Sequence, residues 1–203
     1  MLKIKAGVLG LILDVTKPED LLDFCWVKNN KDNKKFFGTC ELQEFKNLEI
    51  FKKIKNSQVG FLVPNDLIQN FEIDLTPELA EFFKNKNKSK KLVDDLIQQQ
   101  IAFVLNKNHG VDLNNKNNQW AVDFKIKNFN KISVIITELN FINKNIAWLK
   151  ASNLKPVLAE PCTQTDHRMS GLKKAGILDL EQIPEKYQQV YSLAMGVLEW
   201  QKN

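Results

Sequence analysis

The order of apolar segments along the chain constrains its fold more than any other feature. The first three segments are rich in aliphatic and aromatic residues and are bounded by polar turns: residues 3–13, 22–28 and 35–42. Apolar residues at mostly helical spacing from Phe45 to Ile54 predict a first helix that ends near Asn56, and a fourth short apolar segment ends at Pro64. Strands joined by short loops run antiparallel, whereas a helix between two strands allows them to run parallel. The sequence therefore predicts an α/β fold.

The middle of the chain has a different pattern, which predicts an inserted α+β subdomain. Its expected elements are a half-exposed strand at 68–75, a helix opened by Thr76-Pro77-Glu78, an amphipathic helix at 92–105, a polar loop at 106–119, strands at 120–126 and 132–139, and a helix at 140–152. The chain then closes with a strand at 154–159, a weak helix at 163–175 and a helix opened by Pro184. We expect residues 1–64 and 155–203 to form one core and residues 65–154 to form the insert.

The charge of the chain suggests an anionic partner, but its composition argues against sequence-specific recognition of nucleic acid. The net charge is +5, yet Arg168 is the only arginine, and arginine is the residue that most often reads bases bidentately. The lysine-rich run from Lys84 to Lys91 contains no aromatic residue for base stacking. A solvated loop is favoured there over electrostatic attachment to an anionic membrane.

Cysteine usage and hydropathy favour an intracellular protein. Cys25, Cys40 and Cys162 form no CxxC pair, which favours reduced and mostly buried thiols over a disulfide framework or a zinc site. The apolar run 6–13 follows two lysines, a pattern that fits either a signal peptide or a first strand. Asp14 ends the run without a small-residue cleavage site, which favours the strand. This run is far too short to span a bilayer, and no other segment is long enough.

Few residues have the character of catalytic or ligand-binding groups. His109 lies in a polar context and is expected on the surface, while Asp166-His167-Arg168 would offer an acid/base pair beside an anion clamp. Cys162 precedes His167 by five residues, which leaves open a small hydrolase or transferase that uses Cys162, Asp166 and His167. No glycine-rich phosphate loop and no clustered metal ligands occur. We therefore expect no enzyme activity, cofactor or metal.

The order of the elements resembles the PilM group of type IV pilus and competence proteins, whose parent fold is actin-like. The matching segments are Val59–Pro64, Ile73–Leu75, the helix 92–105, Trp120–Phe124, Ile132–Thr137, Asn153–Val157, Glu160-Pro161 followed by Arg168, and Tyr191–Leu198. Together they cover almost the whole chain. The resemblance implies an α/β fold that is half of an actin-like, ribonuclease H-like fold with the inserted α+β subdomain described above.

Departures from this family limit the function that the resemblance implies. Members that bind ATP have an Asp-x-Gly turn after the first strand, a second such turn in the other lobe and a Gly-Gly adenine loop, none of which occurs here. Only residues 169–190 separate Arg168 from Tyr191, where the family usually places its second lobe. The chain is thus similar to reduced competence relatives of the HofM type.

The resemblance implies a cytoplasmic adaptor that works at the inner membrane without hydrolysing nucleotide. Its expected partner is the cytoplasmic N-terminal tail of a PilN-like single-span membrane protein, held in an apolar groove near the insert whose residues the sequence does not identify. Other platform proteins and a second copy of the chain are further expected partners. Besides the small Cys/His enzyme, a basic nucleic-acid-binding module in DNA uptake is an alternative function.

Overall fold

The structure is a computed structural model that describes residues 7–15, 21–28, 34–84, 90–115, 119–128, 130–174 and 183–200. Its strands are β1 Val8–Ile12, β2 Leu21–Val27, β3 Lys35–Glu41, β4 Gln58–Val63, β5 Ile68–Asp74, β6 Trp120–Asn128, β7 Lys131–Glu138 and β8 Lys155–Pro161. Its α-helices are α1 Phe51–Ile54, α2 Pro77–Lys84, α3 Lys90–His109, α4 Leu139–Ala151, α5 Cys162–Lys174 and α6 Gln188–Trp200. Short 3-10 helices span Phe45–Asn47, Asn65–Leu67 and Glu185–Tyr187.

The chain divides into two compact units. The first consists of Met1–Asn65 with Phe141–Asn203, and the second is Asp66–Asn140. The second boundary therefore lies at residue 140, whereas the sequence pattern placed it at 154. The reason is that α4 packs with the first unit, where the Trp148 ring lies 5.9 Å from the ring of Phe45.

The first unit is built on a five-stranded mixed sheet in the order β3-β2-β1-β4-β8. Strands β1, β2 and β3 form an antiparallel meander, and β4 and β8 add to it in parallel. This is the meander with parallel return that the order of apolar segments predicts. Helix α6 covers one face of the sheet, and Val8, Cys25 and Val190 belong to the core between them.

Two paired glycines let α6 approach this sheet closely. Gly10 and Gly60 are register partners in β1 and β4. A Cβ atom on Gly10 would lie 2.1 Å from the carbonyl oxygen of Val190, and one on Gly60 would lie 2.9 Å from the Val197 side chain. The glycines are therefore required by the close helix–sheet packing and not by their backbone angles.

The helix predicted from Phe45 to Ile54 is interrupted in the structure. A 3-10 turn at Phe45–Asn47 and the single turn α1 replace it. Phe45 is fully buried and its ring contacts those of Phe24 and Phe51 edge-on. The helical spacing of apolar residues in this segment reflects the burial of Phe45 and Ile54 rather than one continuous helix.

The second unit is a three-stranded antiparallel sheet covered by α3. The strand order is β5-β7-β6, and the core formed by sheet and helix includes the fully buried Ile97, Ile101, Leu105, Ile132, Val134 and Ile136. The two ends of this unit meet, because Ile68 pairs with Thr137 and the Thr137 hydroxyl donates a 2.8 Å hydrogen bond to the carbonyl of Leu67.

Helix α3 continues beyond the end that the sequence pattern predicts. It runs to His109, through part of the segment expected to be a polar loop. Gly110 follows with a φ of 68° and its N–H bonds the Asn106 carbonyl at 3.2 Å, which is the left-handed ending that glycine favours. The last turn of the helix is exposed to solvent on most sides, so polar residues can occupy it. For this reason the change from apolar to polar residues did not mark the end of the helix.

Burial of Cys25 predicts a loss of stability at alkaline pH. The side chain is fully buried, and this burial raises the pKa of its thiol from 9.0 to about 12, although Lys35 acts in the opposite direction. Above pH 9 the unfolded chain loses this proton while the folded chain keeps it. The free energy of unfolding is therefore expected to fall by up to about 1.4 kcal/mol per pH unit between pH 9 and 12 from this group alone.

This pH dependence is measured by urea unfolding of the original chain and of Cys25→Ala at pH 8, 9 and 10. The variant lacks the titrating thiol, so its stability should decline less steeply above pH 9. Equal slopes for the two proteins would contradict the assignment.

Candidate functional site

The candidate catalytic residues lie on α5, but the helix does not bring Cys162 and His167 together. Cys162 is the first residue of the helix, and the five-residue spacing to His167 separates the two by about 140° around the helix axis. His167 is exposed, and Asp166 accepts a 3.1 Å hydrogen bond from Gln189 on α6. The structure therefore does not bring Cys162 and His167 to one face of α5.

Arg168 is held by carboxylates of its own chain. Its guanidinium donates two 2.6 Å hydrogen bonds to Glu160 and a 3.0 Å bond to Glu199. Burial lowers the pKa of Arg168, but its bonds and charge interactions with Glu160 and Glu199 outweigh this, so the net direction is upward. The group predicted as an anion clamp is thus saturated within the fold, where it joins β8, α5 and α6.

The other candidate functional groups identified in the sequence also lie in ordinary structural surroundings. The His109 ring lies 4.8 Å from that of Phe71, at the exposed end of α3. Most of the lysine-rich run, residues 85–89, lies outside the described residues. Among the residues that the structure covers, no three His, Cys, Asp or Glu side chains are grouped to hold a metal. None of the helices in that part of the chain is long and apolar enough to cross a membrane.

A groove of about 1030 Å³ lies within the second unit, between α3 and the edge strand β6. One wall is a face of α3 and the other is the start of β6, and Leu113 and Asn114 also line the groove. Its lining includes Asp95, Phe103, Lys107, Trp120 and Val122. Its volume is at the upper end of the range of about 300–1,000 Å³ for small-molecule pockets, so the groove has room for a short peptide.

Apolar side chains in this groove remain exposed to solvent. Phe103 on α3 is 64% exposed and Val122 on β6 is 38% exposed. Besides the charged residues Asp95 and Lys107, neighbouring side chains supply hydrogen-bonding amide groups: Gln98, Gln99, Asn106 and Asn114. Apolar surface bordered by amides is the composition expected of a protein-binding surface. The groove is therefore the candidate functional site.

The sequence contained one signal for this site that periodicity alone did not resolve. Ile97, Ile101 and Leu105 form the buried stripe of α3, and Phe103 lies about 160° from Ile101 around the helix. An aromatic residue on the polar side of an amphipathic helix indicates a contact surface. The position of Val122 depended on the β6–β7 register, which the sequence did not reveal.

No known family profile matches the sequence, and no curated protein matches it. Solved structures do share its fold. The cytoplasmic domain of EpsL, an inner membrane component of the type II secretion system of Vibrio cholerae, matches with a TM-score of 0.58 and 11% identity, over 79% of this chain and 59% of that one. A chain of the PilM–PilN type IV pilus biogenesis complex matches with a TM-score of 0.52 and 11% identity, over 84% of this chain and 50% of that one.

The fold is actin-like. Both neighbours have this fold, so the prediction of half an actin-like fold with an inserted α+β subdomain is confirmed. The resemblance to PilM proteins is supported at the level of a PilM- and EpsL-like fold. The chain spans between half and about three-fifths of the length of these two neighbours.

Proposed function

We propose that this protein is a non-catalytic scaffold of a type IV pilus or related secretion platform. It works on the cytoplasmic face of the inner membrane and holds the cytoplasmic N-terminal tail of a PilN-like membrane protein. The observation that carries the proposal is the shared fold with chains from two such machines, the EpsL cytoplasmic domain and the PilM–PilN complex. The partly apolar groove of the second unit offers a place for the tail.

The proposal that the chain does not catalyse is supported by how its polar groups are used. Arg168 is engaged by Glu160 and Glu199, and Cys162 and His167 do not share a face of α5. Strand β1 is followed by Leu13-Asp14-Val15 without a nearby glycine, whereas phosphate-binding turns need backbone N–H groups that can approach a phosphate closely. Further platform proteins and a second copy of the chain are additional proposed partners.

Binding of the membrane partner's tail is the direct test. A labelled synthetic peptide with the sequence of the cytoplasmic tail of the PilN-like protein should bind the full chain with a micromolar dissociation constant, while a scrambled peptide should not. Fluorescence anisotropy measures both. ATP should neither bind in calorimetry nor change the affinity for the tail. Absence of tail binding at high micromolar concentration would contradict the scaffold function, and turnover of ATP would contradict its non-catalytic character.

A further inference from the structure

We propose that the groove receives an extended peptide segment, which adds to the second unit as a fourth strand beside β6. The segment has apolar side chains at alternate positions, a basic residue at the end near Asp95 and an acidic residue at the end near Lys107. This inference rests on the proposed function only for the source of the segment, the tail of a membrane partner. The groove itself defines the chemistry of the segment.

The open edge of β6 is the first reason for an added strand. Among the described residues, β6 pairs only with β7, through the register from Trp120↔Glu138 to Asn128↔Lys131. An edge strand presents a row of N–H and C=O groups that a further strand can pair with. The N–H of Phe124 donates a 2.9 Å hydrogen bond to the Asp123 carboxylate. A helix in the groove would leave the other edge groups to water, whereas a strand at about 4.8 Å would bond them.

Incomplete burial on the helix-covered side of β6 is the second reason. Val122 and Ile126 lie opposite Ile136 and Ile132 and therefore share the face that α3 covers. The β7 residues are fully buried, but Val122 is 38% and Ile126 is 41% exposed. A neighbouring strand with apolar residues on the same face would cover both, and Phe103 lines the same groove from α3.

The two walls of the groove run in opposite directions. Gln100 on α3 donates a 3.1 Å hydrogen bond to the carbonyl of Asp74, which pairs with Lys131 at the start of β7. The ring of the later residue His109 lies 4.8 Å from that of Phe71, which pairs with Val134 further along β7. The C-terminal end of α3 therefore points toward the N-terminal end of β6, because β6 and β7 are antiparallel.

Charge at the two ends of the groove fixes the character and length of the segment. Asp95 and Lys107 both line it, and twelve residues of helix place them about 18 Å apart. Six steps along an extended strand cover about 20 Å, so a heptapeptide reaches from one charge to the other. In the antiparallel arrangement, which is the more stable pairing, its basic residue comes first and its acidic residue last.

The test uses a capped, labelled heptapeptide, Lys-Thr-Val-Thr-Val-Thr-Glu, titrated with the full chain and followed by fluorescence anisotropy. We expect saturable binding, weakened about ten-fold or more by Phe103→Ser. Leu21→Ser is the matched control, because Leu21 is exposed to a similar extent, 60%, but lies on β2 of the first unit. No binding up to millimolar peptide, or equal effects of the two variants, would overturn the proposal.

Backbone methylation distinguishes an added strand from any other bound form. One version of the heptapeptide carries N-methyl groups on the two valines, and a second version carries them on the second, fourth and sixth residues. Only alternate amides of a strand face β6, so one version should lose binding and the other should keep it. Equal loss or equal retention in both would rule out strand addition.

A charge exchange tests the orientation. Asp95→Lys combined with Lys107→Glu should bind the reversed probe, Glu-Thr-Val-Thr-Val-Thr-Lys, several-fold more tightly than the original one, while the unmodified chain keeps the opposite preference. If neither protein discriminates between the probes, the charge assignment is wrong.

The outcomes separate this inference from the proposed function. If the membrane partner's tail binds and Phe103→Ser leaves that affinity unchanged, the groove assignment fails while the scaffold function stands. If the heptapeptide binds but the tail does not, the scaffold function fails while the groove assignment stands. If sedimentation instead shows a dimer that Phe103→Ser dissociates, the occupant is a second copy of the chain, and the proposal is overturned.

Discussion

Replacing Gly10 by alanine should unfold the first unit, with a loss of at least about 3 kcal/mol in the free energy of unfolding. The added Cβ would lie 2.1 Å from the Val190 carbonyl oxygen and 2.8 Å from the Ala194 nitrogen. Both contacts are with the backbone of α6, so no side-chain rotation relieves them. Either α6 leaves the sheet or β1 moves away from β2 and β4. Urea unfolding followed by circular dichroism measures the loss.

Gly171→Ala is the matched control for this substitution. Gly171 lies inside α5, and a Cβ there would meet no atom within 4 Å. Alanine favours a helix interior over glycine by about 0.5–1 kcal/mol, so this variant should be more stable than the original chain. Unfolding of Gly10→Ala at the same urea concentration as the original chain would contradict the close packing of α6 on β1.

The second large effect is expected from Glu160→Gln, with a loss of about 3–5 kcal/mol. Glu160 is 2% exposed and Arg168 is 19% exposed, so the substitution leaves a cation beneath the surface without its main counter-charge. The guanidinium also lies against Gly196, where a Cβ would be 2.7 Å from Nη1. Replacing Glu160 and Arg168 together by methionine should recover part of the loss, because no unpaired charge then remains.

The solvent-exposed pair of Lys127 and Glu72 provides the comparison for this ion pair. Both side chains are about half exposed, and Lys127→Met should leave the urea midpoint unchanged because water screens such a pair. A Glu160→Gln variant as stable as Lys127→Met would show that the buried carboxylate is not required for the packing of α5 and α6. A double variant less stable than Glu160→Gln would show that the arginine contributes through other contacts.

Most elements of the fold were predictable because their apolar periodicity agrees with their burial. The strand at 132–139 alternates, and the structure buries Ile132, Val134 and Ile136 on one face. The segment from Phe45 to Ile54 does not form the single helix that its spacing predicts, because irregular chain that buries an aromatic residue can have helical spacing. The end of the insert was placed at 154 because α4 is amphipathic, and the pattern does not show that Trp148 packs on Phe45.

The candidate site was much harder to predict than the fold. It depends on the β6–β7 register and on the side of α3 that faces β6, and both are set by tertiary packing. Phe103 was the only local sign. Arg168 is the opposite case. The tripeptide Asp166-His167-Arg168 suggested a catalytic or anion-binding role, but in the structure Arg168 is bonded to Glu160, eight residues earlier in the chain.

The hydrogen bond between Thr137 and Leu67 has a consequence for the stability of the first unit. It closes the second unit so that the chain returns beside the point where it left. For the first unit, residues 66–140 are then equivalent to a short loop, and the entropy of closing that loop hardly depends on what the insert contains. Changes in the length or content of the insert are therefore expected to leave the stability of the sheet beneath α6 nearly unchanged.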